Sequence, residues 1–205
     1  MKKCNGIKNI ILDVGNVLVD FRYMEYMKDL GFSDELAAEV SDKVVINPLW
    51  NEYDRGIMPE EEFIGLMKQK FPGREEVVQC FFDNIDGIVE EYDYTVEWIN
   101  AMKEAGYKVY ILSNYPESLW KMHEKSRFTF LSKVDGKIVS GFVKLIKPDE
   151  AIYRMLLDTY GLKADECLFF DDRINNIEAA KKVGMRAVLF TDYETHRKML
   201  DEGLY

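Results

Sequence analysis

Cysteine is scarce in this chain and shows no organised spacing. The 205 residues include three cysteines, Cys4, Cys80 and Cys167, which are widely separated and odd in number. Such a set shows neither the paired spacing of a zinc site nor a disulfide framework. Unpaired cysteines are typical of reducing compartments, so we expect a cytoplasmic protein.

Long apolar runs are absent as well. No stretch approaches the ~18 consecutive apolar residues that a membrane-spanning helix needs. The basic start, Met1-Lys2-Lys3, leads into a short apolar run that stops at Asp13, which is not the pattern of a secretory signal peptide. We therefore expect no membrane partner.

Positive charge is also in short supply. The chain has 27 lysines and arginines against 37 acidic residues, which gives a formal net charge of −10. A surface this acidic argues against nucleic acid or an anionic membrane as a partner. An anionic small molecule would need a local source of positive charge, such as a metal ion or a well-placed lysine. The length allows one large domain or a core with a smaller inserted domain.

Residues 21–94 show helical patterns and no strand signal. Apolar residues recur at helical spacing over residues 21–30. Ser33, followed by two acids, is typical of a helix start, and Pro59 before three glutamates opens another helix. We therefore predict an all-helical segment over residues 21–94.

The rest of the chain alternates between strand-like apolar runs and helical stripes. The strand-like runs cover residues 10–12, 107–112, 138–139, 167–170 and 187–190. Such alternation predicts a parallel sheet with right-handed crossovers. The predicted fold is α/β, with a doubly wound, Rossmann-like core made of residues 1–20 and 95–205 and the helical segment inserted after the first strand.

Polar side chains stand where these strands and one helix begin or end. They are Asp13, Ser113, Asn114, Lys147, Asp171 and Asp172. Because the carboxyl ends of parallel strands meet at one edge of a sheet, these groups can converge. Each alone has an ordinary explanation in turn formation or helix capping. Their joint position predicts an active site.

The chemistry of this set is coherent. Asp13 can act as a nucleophile that forms a covalent aspartyl intermediate. Asp171 and Asp172 offer the hard oxygens that suit Mg²⁺. Further groups can supply positive charge or hydrogen bonds to a phosphate: Lys147, Ser113, Asn114 and the backbone N–H groups of Val14 and Gly15.

Four motifs carry a resemblance to a known family. In chain order they are Leu12-Asp13-Val14-Gly15-Asn16-Val17-Leu18, Leu112-Ser113-Asn114, Lys147-Pro148 and Phe170-Asp171-Asp172-Arg173. With them the chain resembles the haloacid dehalogenase superfamily of aspartate-nucleophile phosphatases over nearly its whole length.

The resemblance implies both a mechanism and a role for the helical segment. Residues 21–94, called the cap from here on, would close over the active site and select the substrate. Asp13 would be the nucleophile, and Asp172 with support from Asp171 would hold Mg²⁺ together with Asp13 and the Gly15 carbonyl. The expected function is Mg²⁺-dependent hydrolysis of small phosphorylated metabolites.

Position 15 departs from the family pattern. Most phosphatases of this superfamily have an aspartate there as general acid and base, a role that typically contributes roughly 10²–10⁴-fold to the rate. The Asp-x-Gly-Asn pattern is similar to a subgroup that includes bacterial α-glucose-1-phosphate phosphatases. A sugar 1-phosphate has an acidic leaving group and needs the general acid less. Alternatively, Asp20 could replace it.

Two other functions are compatible with the residues. A 2-haloacid dehalogenase uses the same nucleophile without a metal, although the acidic pair Asp171-Asp172 would repel its carboxylate substrate. A non-catalytic phosphometabolite- or partner-binding protein is the other alternative, supported only by Gly15. Sensitivity to EDTA distinguishes a phosphatase from the dehalogenase, because only the phosphatase should lose activity. Turnover distinguishes a phosphatase from the binding protein.

The remaining signals are weaker. Aromatic residues of the cap are expected in its core, with Trp50 a candidate to face the substrate. Arg22 and Arg173 are candidates to reach an anion, although each is also typical of a solvated arginine. His123 has no partner recognisable from the sequence. The expected assembly is a monomer or a weak dimer.

Overall fold

The computed structural model describes residues 1–205. The strands are β1 (Asn9–Leu12), β2 (Val19–Phe21), β3 (Val89–Glu91), β4 (Lys108–Ser113), β5 (Gly136–Val139), β6 (Cys167–Asp171) and β7 (Arg186–Leu189). Five of them form one sheet in the order β5-β4-β1-β6-β7. All its pairings are parallel, which confirms the predicted α/β core.

The central strand β1 fixes the position of the active-site residues. All four of its residues are buried, as expected for a strand covered on both faces. Leu12 pairs with Ile111 of β4 and with Phe170 of β6. Because of this register, Asp13 and Asp171 leave the sheet side by side, at the edge where open α/β sheets bind ligands.

Helices cover both faces of the sheet. The core helices are α6 (Thr95–Glu104), α7 (Glu117–Ser126), α8 (Ser140–Val143), α9 (Glu150–Tyr160), α10 (Ile174–Lys182) and α11 (Tyr193–Glu202). Ile10 and Leu12 pack in one apolar cluster with Trp98 of α6, whereas Ile11 packs in a second cluster with Ile152 of α9. The alternation of β1 side chains between two clusters confirms the doubly wound arrangement.

The cap consists mainly of helices. They are α1 (Tyr23–Asp29), α2 (Asp34–Val40), α3 (Leu49–Arg55), α4 (Glu60–Lys68) and α5 (Glu75–Asp83), with a π-helical turn at Ser41–Val45 and a 3₁₀ turn at Ile85–Ile88. The predicted helix start at Ser33 is confirmed, because its hydroxyl accepts a hydrogen bond from Leu36 N at 3.2 Å. Helix α3 has no side-chain cap and was not indicated by the sequence.

The expectation that residues 21–94 contain no strand is wrong near both ends of that range, since Phe21 is the last residue of β2. Residues Val89–Glu91 form β3, which pairs antiparallel with β2 at the base of the cap. Two of its three residues are glutamates, so no apolar alternation marks it as a strand. The division into residues 1–20 with 95–205 and residues 21–94 stays a prediction. No helix of the chain has both the length and the apolar character needed to cross a membrane.

Candidate active site

Asp13 is held at the end of β1 by the turn that follows it. Its backbone N–H donates to Phe170 O at 2.9 Å, and Val14 N donates to Asp13 Oδ1 at 2.7 Å. The turn is closed by a hydrogen bond of 2.7 Å from Asn16 N to Val19 O, with Asn16 at a φ of 56°. Asparagine tolerates this left-handed conformation better than most residues.

Gly15 is not required by the local geometry. A Cβ at this position would meet no atom within 4 Å, and its φ is not in the left-handed region. The chain therefore has room here for the aspartate that the family pattern leads one to expect. Its absence is a difference in chemistry and not a consequence of packing.

Lys147 links two of the acids. Its ammonium group is fully buried and lies 2.9 Å from Asp13 Oδ1 and 2.6 Å from Asp171 Oδ2. The Asn114 amide holds the lysine backbone from both sides, accepting from Lys147 N at 2.8 Å and donating to Lys147 O at 2.9 Å. Asn114 therefore positions Lys147, and its acceptor is not available to a ligand.

Asp171 is saturated with donors. Besides Lys147, its carboxylate accepts from Arg173 N at 2.8 Å and from Asn176 Nδ2 at 2.9 and 3.0 Å. Burial alone would raise its pKa, but Lys147 and these hydrogen bonds outweigh that effect and lower the pKa of Asp171. Asp171 is thus a fixed counter-ion for Lys147.

Asp13 is less well stabilised as an anion. Burial raises its pKa, Lys147 opposes that shift without cancelling it, and Asp171 and Asp172 add repulsion. The pKa of Lys147 is raised in turn, because its two carboxylate partners outweigh the effect of burial. Three acids therefore share one buried lysine, so the cluster has an excess of negative charge.

The three acids form a candidate cation site. One carboxylate oxygen from each of Asp13, Asp171 and Asp172 can be chosen so that all lie within 4.8 Å of one another. Asp172 is half-buried, and only its Oδ2 has a partner, Asn16 Nδ2 at 2.9 Å. Carboxylate donors of this kind fit Mg²⁺, and a divalent cation would neutralise the excess negative charge.

A cavity of about 330 Å³ lies over this cluster, between the core and the cap. Its wall has a charged side near the acids and an apolar side. The residues that line it are Asp13, Gly15, Asn16, Phe21, Trp50, Asp54, Ile88, Asn114, Tyr115, Pro116, Leu119, Lys147, Asp172, Arg173 and Asn176. Trp50 and Arg173, both weak candidates from the sequence, face this space.

Several other expected residues lie elsewhere. Ser113 is 1% exposed and does not line the cavity. Asp20, the suggested replacement for the general acid, lies on β2 outside the cavity wall, so the geometry does not support that role. Arg22 is engaged by Gly87 O and Asp29. His123 does have a partner, because its Nδ1 lies 2.6 Å from Tyr115 Oη.

Sequence reasoning missed Asp54, Asn16 and Asn176. Asn16 and Asn176 stand close to the motif acids in sequence, and asparagines beside catalytic acids are a usable signal. Asp54 offered no signal, because it lies on α3, a seven-residue helix that no periodic pattern indicated.

Comparison with known proteins agrees with the fold. The model of the haloacid dehalogenase-like hydrolases matches residues 7–184. The chain therefore belongs to this family of hydrolases.

Two curated relatives are similar to most of this chain. A sesquiterpene phosphatase of Aspergillus oryzae is 26% identical over 92% of this chain and 92% of its own length. The drimenol cyclase of Aspergillus calidoustus is 24% identical over 90% of this chain, which spans only 34% of that protein.

Solved structures share the fold. A haloacid dehalogenase family enzyme of Bacteroides thetaiotaomicron, solved as a magnesium complex, superimposes with a TM-score of 0.74 at 21% identity, covering 95% of this chain and 100% of that one. The L-2-haloacid dehalogenase of Xanthobacter autotrophicus gives a TM-score of 0.64 at 15% identity, covering 96% of this chain and 83% of that one.

Proposed function

We propose that the protein is a Mg²⁺-dependent phosphatase that hydrolyses small phosphate esters through an aspartyl-phosphate intermediate on Asp13. One observation carries the proposal: Asp13 lines the cavity with Lys147 2.9 Å away on one side and belongs to a three-carboxylate cluster with Asp171 and Asp172. A nucleophile in such a cluster is repelled by a phosphate unless positive charge is added.

Each residue of the cluster has its own role in the proposed reaction. Asp13, Asp172 and the Gly15 carbonyl would hold Mg²⁺, with Asp171 supporting them through Lys147. The bound cation would offset charge repulsion and polarise the phosphoryl group. Asp13 attacks phosphorus, the ester oxygen departs, and water then hydrolyses the aspartyl phosphate. Lys147 neutralises charge throughout, and the Gly15 N–H group at the cavity wall is a further candidate phosphate donor.

The apolar wall of the cavity indicates which kind of group the substrate carries on its phosphate. Phe21, Trp50, Ile88 and Leu119 line the space beside the acids, so the group carried by the phosphate meets apolar side chains. Sugar phosphates remain candidates, as the Asp-x-Gly-Asn pattern implies. Because of this wall, and because one relative is named a sesquiterpene phosphatase, aromatic and isoprenoid phosphates belong in the same screen.

The dehalogenase alternative is less consistent with the charges. Fold similarity to an L-2-haloacid dehalogenase exists, but a carboxylate substrate would approach a cluster that already has excess negative charge. No comparable objection applies to a phosphate ester brought in with a divalent cation.

The test is release of inorganic phosphate from a panel of sugar, aromatic and isoprenoid phosphates, with Mg²⁺ and with EDTA. Wild type and Asp13→Asn are compared. Turnover that requires Mg²⁺ and disappears in Asp13→Asn is the expected result. Chloride release from 2-chloropropionate in EDTA would establish the dehalogenase instead. Ligand binding without any turnover would point to the non-catalytic alternative.

A further inference from the structure

The end of helix α3 and the glycine that follows it join the cap to the core through four consecutive residues. Tyr53 Oη lies 2.9 Å from Ser118 Oγ on α7, and the Ser140 hydroxyl donates to Asp54 O at 2.5 Å. Further along, Arg55 pairs with Asp149 at 3.3 Å. Gly56 then packs so closely on Gly141 that a Cβ would lie 2.4 Å from its carbonyl oxygen. The backbone that carries Asp54 is therefore fixed relative to the core.

The Asp54 carboxyl faces the cavity from the cap side. It is half-buried and, unlike Asp13 and Asp171, forms no ion pair. Burial raises the pKa of the Asp54 carboxyl, whereas the Trp50 indole, one turn earlier on α3, and the charges of Arg173 and Lys147 oppose that rise. A carboxyl group without an ion-pair partner, held against a substrate cavity, is available for proton transfer.

The other titratable groups of the cavity wall are already engaged or unsuited to this task. Asp13 is the nucleophile, and Asp172 belongs to the cation site. Lys147 is paired with two carboxylates, and an arginine such as Arg173 does not release its proton. Burial raises the pKa of Tyr115 well above its ordinary value, which makes it a poor acid.

We propose that Asp54, supplied by the cap, is the general acid and base of the reaction, in the role left open by Gly15. This inference rests on the proposed phosphatase function. It also makes proton transfer depend on the docking of α3, because the group that donates the proton reaches the cavity only from the cap.

The proton balance follows from the two steps. In the first, Asp13 Oδ forms a bond to phosphorus, the bond from phosphorus to the ester oxygen breaks, and protonated Asp54 gives its proton to that oxygen, releasing an alcohol. In the second, water attacks phosphorus, Asp54 takes a proton from it, and the bond to Asp13 breaks. Inorganic phosphate leaves, and Asp54 is protonated again.

The test uses two substrates of similar shape and different leaving groups. Phenol has a pKa of about 10, as tyrosine does, whereas p-nitrophenol is a much stronger acid and departs without a proton. In the full-length protein with saturating Mg²⁺, we expect Asp54→Asn to lower kcat/KM for phenyl phosphate by roughly 10²–10⁴-fold. We expect a much smaller loss of kcat/KM for p-nitrophenyl phosphate. With that substrate, Asp54→Asn should also release a burst of p-nitrophenol before the steady state, because the phosphoenzyme accumulates.

Matched controls distinguish this role from a structural one. Glu52→Gln removes a carboxylate from the same helix without touching the cavity wall, and both kinetic constants should stay near wild type. Equal losses on the two substrates in Asp54→Asn, with an unchanged thermal transition, would overturn the inference and leave the phosphatase intact. Absence of turnover by the wild type would instead overturn the proposed function itself.

Discussion

At the scale of single residues, the adjacent acids Asp171 and Asp172 are not equivalent. Both oxygens of Asp171 accept hydrogen bonds from buried donors, while Asp172 has one partner and one free oxygen. We therefore expect Asp171→Asn to lower the free energy of unfolding by about 1–3 kcal/mol, because an amide cannot accept all the hydrogen bonds of the buried carboxylate, while Asp13 still pairs with Lys147. Urea denaturation without Mg²⁺ measures this loss.

The opposite pattern is expected for Asp172→Asn. Its free energy of unfolding should stay near wild type, because the side chain is half-buried and weakly bonded. Its affinity for Mg²⁺, measured by calorimetry, should fall by at least about 100-fold, the upper range for loss of an outer-shell partner. Equal Mg²⁺ affinity in wild type and Asp172→Asn would exclude Asp172 as a ligand.

The protonation of Asp54 gives a prediction about pH. Burial raises its pKa to about 8, against the opposing effects of Trp50, Arg173 and Lys147. The groups that share its surroundings are Asp13, Tyr115, Lys147, Asp172 and Arg173 in the cavity, with the Arg55–Asp149 pair beside it. The acid form that donates the proton is thus present below about pH 8 and lost above it.

The ratio of kcat/KM for phenyl phosphate to that for p-nitrophenyl phosphate isolates this ionisation, because effects common to both substrates cancel. In wild type the ratio should be constant at neutral pH and fall as pH rises through about 8. In Asp54→Asn it should be low and independent of pH. A wild-type ratio that does not change between pH 6 and pH 10 would contradict the assignment.

Sequence alone located the core half of this site and missed the cap half. Asp13 and Asp171 follow from the rule that strand ends share an edge, which needs only strand positions, whereas Lys147 was indicated by its place before a helix and by the family motif. The different roles of Asp171 and Asp172 depend on which carboxylate oxygens Lys147 and Asn176 contact. The spacing of residues in the sequence does not specify those contacts. Asp54 reaches the cavity only through the packing of α3 on the core, so a local pattern could not reveal it.

At the scale of elements, the docking of α3 depends on Gly56. Its φ of 73° and its contact with Gly141 leave no room for a side chain. We expect Gly56→Ala to lower both the free energy of unfolding and kcat, since backbone strain and a clash displace the segment that carries Asp54. Chemical denaturation and steady-state kinetics measure the two effects.

Two other cap glycines serve as controls. Gly31 has a φ of 80° but open space around it, so Gly31→Ala should cost roughly 1–3 kcal/mol of strain and leave kcat unchanged. Gly65 lies inside α4 with open space and ordinary φ, so Gly65→Ala should stabilise by about 0.5–1 kcal/mol. If all three variants kept wild-type kcat, α3 docking would not matter for catalysis.

The elements that sequence predicted are those with long periodic patterns or clear start signals, such as α2 after Ser33 and α4 after Pro59. Those it missed are short. Helix α3 has seven residues and no capping side chain, and β3 is a strand only because β2 lies beside it. The secondary structure of such short segments is determined by tertiary contacts with residues distant in sequence, and local propensity does not predict those contacts.

At the scale of the whole molecule, the cap and the core share one apolar cluster. Phe63 and Phe81 of the cap belong to the same group of 40 buried residues as Leu12 and Trp98 of the core. Together with the α3 contacts and the β2–β3 pairing, this continuity leads us to expect that the cap and the core unfold together. An inserted segment could in principle unfold on its own.

Native-state hydrogen exchange tests this expectation, because it reports opening free energies segment by segment. Phe63→Ala, at a fully buried cap position, should cost about 3–5 kcal/mol. If cap and core unfold as one unit, the most protected amides of α4 and of β1 lose the same free energy. A loss confined to the cap helices would mean that the cap opens on its own. Because Asp54 is part of the cap, such opening would also withdraw the proposed proton donor, so the same experiment measures how often the site is incomplete.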